Sequence, residues 1–167
     1  MPNYAHRLRI ENDINTDYII SGRYKFKIQD QKELSRHIFE DLEPDFYKKI
    51  RPGDFLVAGE NFGCGSSREQ APAALKASGL AAVLARSYAR IFYRNAFNVG
   101  LCVVECETKF IDDMDVLELH LDKNIVKNLT KGLNIEIKPI PRIMREFLEK
   151  GGVIEYLKEN KGFGEVL

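Results

Sequence analysis

Apolar and polar positions follow one pattern in the middle of the chain and another near its end. Between residues 54 and 106, three short apolar runs, "DFLVAGE", "LAAVLA" and "LCVVEC", alternate with two segments of helical periodicity. Short apolar runs bounded by turn residues are typical of buried strands. The order strand, helix, strand, helix, strand favours a parallel sheet with right-handed crossovers. This region therefore predicts an α/β fold.

Turn and cap residues set the limits of the predicted helices. "APAALKASG" ends at Gly79, and glycine is typical of the position that closes a helix. "SYARIFYRNAFNVG" begins at Ser87, a candidate N-cap, and ends at Gly100. Upstream of both, apolar residues on one helical face predict a further helix over residues 32–50, which "RPG" ends.

The pattern changes after residue 106. "MDVLELHLD" and "LNIEIKPI" alternate between apolar and polar residues, as half-exposed strands around a polar turn do. "IMREFLEKGG" and "VIEYLKEN" predict a broken terminal helix, and we expect the tail from about residue 161 to be loose. The length of 167 residues, without an internal repeat, predicts a single domain over residues 1–167.

Composition narrows the classes of function. The chain has 25 basic and 25 acidic residues, so its overall field favours neither nucleic acid nor an anionic membrane. An odd count of three cysteines and the lack of a secretory leader argue against a disulfide framework. No apolar run approaches the about 20 residues of a membrane span. We expect a soluble, cytoplasmic protein.

The segment richest in chemistry is "GENFGCGSSREQAP", residues 59–72. It follows a predicted parallel strand, and ligands of open parallel sheets bind at the carboxyl ends of strands. Gly63 and Gly65 allow backbone angles that other residues avoid. The pattern matches neither a nucleotide-binding loop nor a hydrolase elbow. Arg68 is the only cation of the turn, and its planar fork suits a carboxylate.

The same turn has a purely structural interpretation. Ser66 and Glu69 have the spacing of a helix capping box. A helix that started after Ser66 would place Pro72 in its second turn, where proline costs a backbone hydrogen bond. A later start would leave Ser66 and Arg68 on the loop, with Pro72 in the first turn. The residues alone leave both an anion site and a cap open.

Four segments together resemble one known family. They are "NDINTDYIISGRY", "RPGDFLVAGENFG", "GENFGCGSSREQAP" and "ARSYARIFYRNAFNVGL", which span about residues 12–105. They resemble the swivelling domain of the aconitase superfamily and, as a free chain of this length, the small subunits of 3-isopropylmalate dehydratase and homoaconitase enzymes. The resemblance implies a three-layer β/β/α domain. Gln70 departs from the histidine of many members; it keeps hydrogen bonding, and we do not expect it to abolish activity.

The resemblance also implies an activity. Such enzymes move a hydroxyl between adjacent carbons by eliminating water and adding it back, with a [4Fe-4S] cluster as Lewis acid. In the family a separate large subunit holds the cluster, so this chain is expected to hold no metal and to be inactive alone. A serine is a poor base unless positive neighbours and amide donors stabilise its alkoxide. The implied site residues are the base Ser66 with Asp17 in support, the substrate-binding Thr16, Ser67 and Arg68, and the turn residues Gly63, Cys64 and Gly65.

In this family the loop after "NTD" helps to select the variable arm of the substrate. Here it reads "GRYKFK". Phe26 suits the branched alkyl arm of isopropylmalate, whereas Arg23, Lys25 and Lys27 suit the extra carboxylate of homocitrate. In an extended stretch Lys25 and Lys27 would face away from Phe26, so only one face could point inward. A solvated basic loop is the structural alternative.

Isopropylmalate is the favoured substrate, with homoaconitate and dimethylmalate as alternatives. A non-catalytic anion-binding or RNA-binding module is the alternative of another class. Zero net charge and the lack of an aromatic and basic stripe argue against nucleic acid.

Overall fold

The structure is a computed structural model that describes residues 1–162 of the chain. Most of the tail that was predicted to be loose, residues 163–167, lies outside the described part. The described residues contain seven strands: β1 Asn3–Arg7, β2 Phe55–Val57, β3 Ala82–Ala85, β4 Val103–Glu105, β5 Val116–His120, β6 Ile125–Asn128 and β7 Leu133–Glu136. They form one sheet in the order β4-β3-β2-β1-β5-β6-β7.

The sheet has a parallel half and an antiparallel half that share β1. Strands β1 to β4 pair in parallel, whereas β5, β6 and β7 form an antiparallel meander that joins β1 through β5. Every residue of β2 and β3 is buried, which explains their continuous apolar runs. The predicted α/β class and the parallel strand order are confirmed. The sequence pattern did not predict strands β1 and β6.

Seven α-helices accompany the sheet in the described part. They are α1 Thr16–Ile19, α2 Gly22–Lys25, α3 Gln31–Leu34, α4 Gln70–Ala77, α5 Arg90–Val99, α6 Arg142–Lys150 and α7 Val153–Asn160. Gly79 and Gly100 have positive φ angles just beyond α4 and α5, as predicted. The predicted break of the terminal helix falls at Gly151 and Gly152. None of the helices within residues 1–162 is long and apolar enough to cross a membrane.

The predicted helix over residues 32–50 is wrong. Only α3 and two 3₁₀ turns, Ser35–His37 and Phe46–Lys49, are helical there. Phe39 and Asp45 have left-handed φ angles of 56° and 63°, which end any continuous helix. The apolar residues of this segment are nevertheless buried in the core. The spacing of these apolar residues thus indicated which of them are buried, but it did not indicate a continuous helix.

The predicted N-cap of the second helix is also wrong. Helix α5 begins three residues later, with Ala89 as its N-cap and without a side-chain cap. The hydroxyl of Ser87 instead accepts a hydrogen bond from the backbone amide of Asn61 at 2.8 Å. The side chain of Ser87 therefore fixes the loop after β2, and the first turn of α5 keeps its amides free of a capping side chain.

Candidate active site

The "NTD" segment and the glycine-rich turn lie side by side. The amide of Gly63 donates to the carbonyl of Ile14 at 2.8 Å, and the amide of Thr16 donates to the carbonyl of Cys64 at 2.9 Å. The hydroxyl of Thr16 then donates to the carbonyl of Ser66 at 2.7 Å. These bonds bring together two motifs that are about 50 residues apart in the chain.

Glycine is required at the start of this turn by both conformation and space. Gly63 has a φ angle of +80°, and a Cβ atom there would lie 2.1 Å from the ring of Phe92. Gly65 has a φ angle of +85°. Any other residue would be strained at either position. The two glycines let the turn fold against α5 and then double back past Thr16.

Ser66, Ser67 and Arg68 lie on the loop and do not belong to the next helix. Helix α4 begins at Gln70, its N-cap position is Glu69, and no side chain caps it. Pro72 lies in the first turn of this helix, where its missing amide costs no hydrogen bond. The capping-box interpretation of Ser66 is therefore wrong. The side chains of Ser66 and Ser67 are exposed.

Arg68 lines a cavity of about 460 Å³ between this turn and the start of α5. Its Nη1 atom is buried and has no hydrogen-bond partner, the only such side-chain nitrogen or oxygen within residues 1–162. A buried, unpaired donor on a charged group is costly. A carboxylate, which accepts two parallel hydrogen bonds from a guanidinium, would remove that cost. The cavity thus has the chemistry of a carboxylate site.

Phe26 lies beside this guanidinium. Its side chain is 77% exposed, and the Cζ atom of Arg68 lies 5.4 Å from the centre of its ring. This is a cation–π contact. An exposed aromatic ring is thereby placed next to the group that suits a carboxylate.

Residues 22–27 are not an extended stretch, so the opposite-face arrangement of Lys25 and Phe26 that such a stretch would give does not apply. Residues 22–25 form the short helix α2, and Lys25 turns inward. The Lys25 side chain is 4% exposed, and its Nζ atom lies 3.0 Å from Oδ1 of Asp17, which is 61% exposed. Lys25 is therefore neutralised by Asp17.

Of the other two predicted cations of this segment, only one is unpaired. Arg23 forms an ion pair with Asp41 and covers the ring of Tyr24. Lys27 is exposed and has no ion-pair partner in the described part of the chain. The segment thus presents one exposed ring and one free ammonium group.

Helix α2 is held in place from its other side. The rings of Tyr24 and His37 stack with centres 3.9 Å apart, and His37 Nδ1 lies 3.0 Å from a carboxylate oxygen of Glu40. A hydrogen bond between Tyr24 and Glu40 raises the pKa of the tyrosine and lowers the pKa of the glutamate. Phe26 directly follows a helical turn that is anchored by these contacts.

The thiols of this chain do not fit a cluster. Burial raises the pKa values of Cys102 and Cys106 to about 12, and burial also raises the pKa of Cys64. An iron–sulfur cluster is held by several cysteine thiolates that the fold brings together. Within residues 1–162 no group of three or more His, Cys, Asp or Glu side chains could hold a metal ion.

Sequence reasoning missed one part of the site. Arg90, Ile91 and Arg94, all on α5, line the same cavity as Arg68. A signal was present in "SYARIFYRNAF": two arginines four residues apart, at the start of a helix that follows the next parallel strand. Residues with this spacing share one helical face, and that end of the sheet is where ligands bind.

The chain is similar to proteins of one family. The sequence-family model of the aconitase C-terminal domain matches residues 5–109 of this chain. The chain is 54% identical over 149 residues to 3-isopropylmalate dehydratase small subunit 2 of Archaeoglobus fulgidus, with 89% of this chain and 90% of the relative covered. It is 50% identical over 149 residues to the 3-isopropylmalate dehydratase small subunit of Caldicellulosiruptor bescii. The match covers 88% of this chain and 89% of that relative.

A solved structure agrees with these relatives. The crystal structure of 3-isopropylmalate dehydratase (leuD) from Methanocaldococcus jannaschii matches with a TM-score of 0.90 and 45% identity, covering 95% of this chain and 93% of that one. The predicted resemblance and the predicted fold class are confirmed. The chain belongs to the 3-isopropylmalate dehydratase small subunits, a family of hydro-lyase subunits with the aconitase C-terminal domain fold.

Proposed function

We propose that this chain is the substrate-binding small subunit of a cytoplasmic 3-isopropylmalate dehydratase. The reaction converts 2-isopropylmalate to 3-isopropylmalate, a step of leucine biosynthesis, by eliminating water and adding it back at the neighbouring carbon. A large subunit completes the site and holds a [4Fe-4S] cluster, which would supply a Lewis acid for the substrate hydroxyl when bound. The observation that best supports this proposal is the buried Nη1 atom of Arg68, which has no hydrogen-bond partner. Arg68 lines a cavity beside two exposed serines, Ser66 and Ser67.

Arg68 binds a substrate carboxylate. Its buried Nη1 atom needs an acceptor, and a carboxylate supplies two oxygens in the geometry of the guanidinium fork. Ser67 lines the same cavity and donates a further hydrogen bond to the substrate. Binding at this point fixes the carbon next to the carboxylate relative to Ser66.

Ser66 is the base. In its alkoxide form it removes the proton from the carbon next to a carboxylate and becomes a neutral hydroxyl. The electron pair of the broken C–H bond forms the double bond, and the hydroxyl of the neighbouring carbon leaves as hydroxide with the electron pair of the C–O bond. The alkoxide needs nearby positive charge. Arg68 is two residues away, and the amides of residues 65–68 donate to no backbone carbonyl within residues 1–162. Such free donors stabilise a developing oxyanion.

Thr16 and Asp17 act in support. The hydroxyl of Thr16 holds the carbonyl of Ser66 and so fixes the turn that carries the base. Asp17 holds Lys25, which ties helix α2 to the same place. Through Lys25, Asp17 positions helix α2, which directly precedes Phe26.

The contacts of helix α2 favour a branched alkyl arm over an additional carboxylate. Phe26 offers apolar surface beside Arg68, whereas Lys25 and Arg23 already have carboxylate partners. A homocitrate arm would have to use Lys27, the free cation of this segment. Lys27 keeps homoaconitase as the second candidate, and dimethylmalate fits the same apolar surface as isopropylmalate.

A turnover assay tests the proposal. The chain is reconstituted anaerobically with its cognate large subunit, and 2-isopropylmalate, dimethylmalate, homocitrate and cis-homoaconitate are compared by alkene absorbance. The highest kcat/KM is expected for 2-isopropylmalate. A higher kcat/KM for homocitrate or cis-homoaconitate would show that the proposed substrate is wrong and that the chain belongs to a homoaconitase. An intact complex with a full cluster and no turnover on any of them would refute a hydro-lyase function.

A further inference from the structure

The cavity of Arg68 contains more positive charge than one carboxylate requires. Arg90 and Arg94 line it together with Arg68, and no aspartate or glutamate is among its lining residues. The side chains of Arg90 and Arg94 are exposed, and neither forms an ion pair or a hydrogen bond with any group in residues 1–162. Three uncompensated guanidinium groups therefore face one space.

This arrangement is unfavourable for the helix that carries it. Arg90 occupies the first position of α5, where the helix dipole disfavours a cation. Arg94 lies four residues later, and like charges at that spacing repel each other. Helix α5 has no acidic residue in its first turn and no side-chain cap. Nothing within the helix offsets these costs, which a bound anion would reverse.

We propose that Arg90 and Arg94 bind the second carboxylate of the substrate. This inference rests on the proposed function, in which the substrate carries two carboxylates and Arg68 takes one of them. The free amides at the start of α5 add donors on the same side of the cavity. A cavity of about 460 Å³ is within the usual size for a small-molecule site. The two arginines then select dicarboxylates over monocarboxylates.

The test measures binding and turnover separately in the reconstituted two-subunit complex. The binding probe is isopropylsuccinate, which keeps both carboxylates and the alkyl arm but has no hydroxyl to eliminate. Its two monoamides serve as probes with one carboxylate each. The variants are Arg90→Gln, Arg94→Gln and the double variant. Arg36→Gln is the matched control, since Arg36 is also exposed and unpaired within residues 1–162 but does not line the cavity.

Each single variant is expected to weaken the binding of isopropylsuccinate about tenfold and to raise the KM for the substrate, 2-isopropylmalate, by a similar factor, with kcat changed less. The double variant is expected to bind isopropylsuccinate no better than it binds one of the monoamides. The Arg36→Gln control is expected to match the wild type. The large subunit is expected to bind all variants with unchanged affinity.

Two results would overturn the inference. An unchanged Kd in the double variant would show that the arginines do not bind the ligand. A weaker association of the subunits, with an unchanged Kd in the saturated complex, would assign the arginines to an acidic surface of the large subunit. The binding arm is independent of turnover: selective binding of isopropylsuccinate by a complex without activity would refute the proposed reaction and keep the dicarboxylate site.

Discussion

The guanidinium of Arg68 lies over the ring of Phe26, with 5.4 Å between Cζ and the ring centre. The two residues are 42 positions apart: Phe26 lies in the loop after the "NTD" segment, and Arg68 lies in the glycine-rich turn. One can bind a carboxylate, and the other offers apolar surface. A branched hydroxy acid has both features at neighbouring carbons, and the proposed function assigns its carboxylate to Arg68 and its alkyl arm to Phe26.

Arg68→Lys is expected to raise the KM for the substrate, 2-isopropylmalate, about 10-fold to 100-fold. Lysine keeps the charge but loses the planar fork that holds two carboxylate oxygens. Steady-state kinetics of the reconstituted complex provide the measurement, and Arg36→Lys is the control for an exposed arginine elsewhere. An unchanged KM would mean that Arg68 contributes charge alone.

Phe26→Ala is expected to lower kcat/KM for 2-isopropylmalate about tenfold, because the variant loses apolar surface and the contact with Arg68. Phe26→Leu keeps most of that surface and is expected to lose less. The ring is 77% exposed, so neither change should lower the melting temperature. Equal losses for 2-isopropylmalate and homocitrate would contradict a role in selecting the alkyl arm.

Thr16→Val removes one hydroxyl and keeps the shape of the side chain. The variant loses the hydrogen bond to the carbonyl of Ser66, and the free energy of unfolding is expected to fall by about 1 kcal/mol. The kcat is expected to fall about tenfold, because the turn that carries Ser66 is less well positioned. Thr16→Ser, which keeps the hydroxyl, should retain most of the kcat. Denaturant unfolding and kinetics check both parts, and an unaffected kcat would confine Thr16 to a structural role.

We expect that none of the three cysteines binds the cluster. With pKa values of about 12, Cys102 and Cys106 are thiolates in only about one molecule in 10⁴ at pH 8, and alkylation of the native chain should be slow. Cys102→Ala, Cys106→Ala and Cys64→Ala complexes are each expected to keep the iron content of the wild type. Loss of iron in any one of them would place a cluster ligand in this chain.

The parallel half of the fold follows from the sequence because its strands are buried on both faces. Such strands appear as continuous apolar runs, and the glycines at positions 79 and 100 mark the ends of the helices between them. Strand β1 has mixed polarity, since its position between the two halves leaves several residues partly exposed. Periodicity alone therefore could not predict it.

The candidate site could be predicted only in part. The turn from Gly63 to Arg68 has a local sequence signal: its glycines favour a tight turn, and Pro72 argues against a helix that starts directly after Ser66. The inward direction of Lys25 depends on Asp17 and on the packing of α2 against Tyr24 and His37. Contacts of this kind arise in the folded chain, and an alternating pattern assumed for residues 22–27 could not indicate them.

The most direct test of the account is the rate at which a two-subunit complex with Ser66→Ala converts 2-isopropylmalate. We predict that kcat falls by about 10²-fold to 10⁴-fold, the usual contribution of a general base. The melting temperature and the Kd of isopropylsuccinate are predicted to stay unchanged, because the exposed side chain of Ser66 caps no helix. Ser67→Ala, as the neighbouring control, should raise KM more than it lowers kcat. A Ser66→Ala complex that turns over at the wild-type rate, or one that loses activity only because it unfolds, would contradict the assignment of Ser66 as the base.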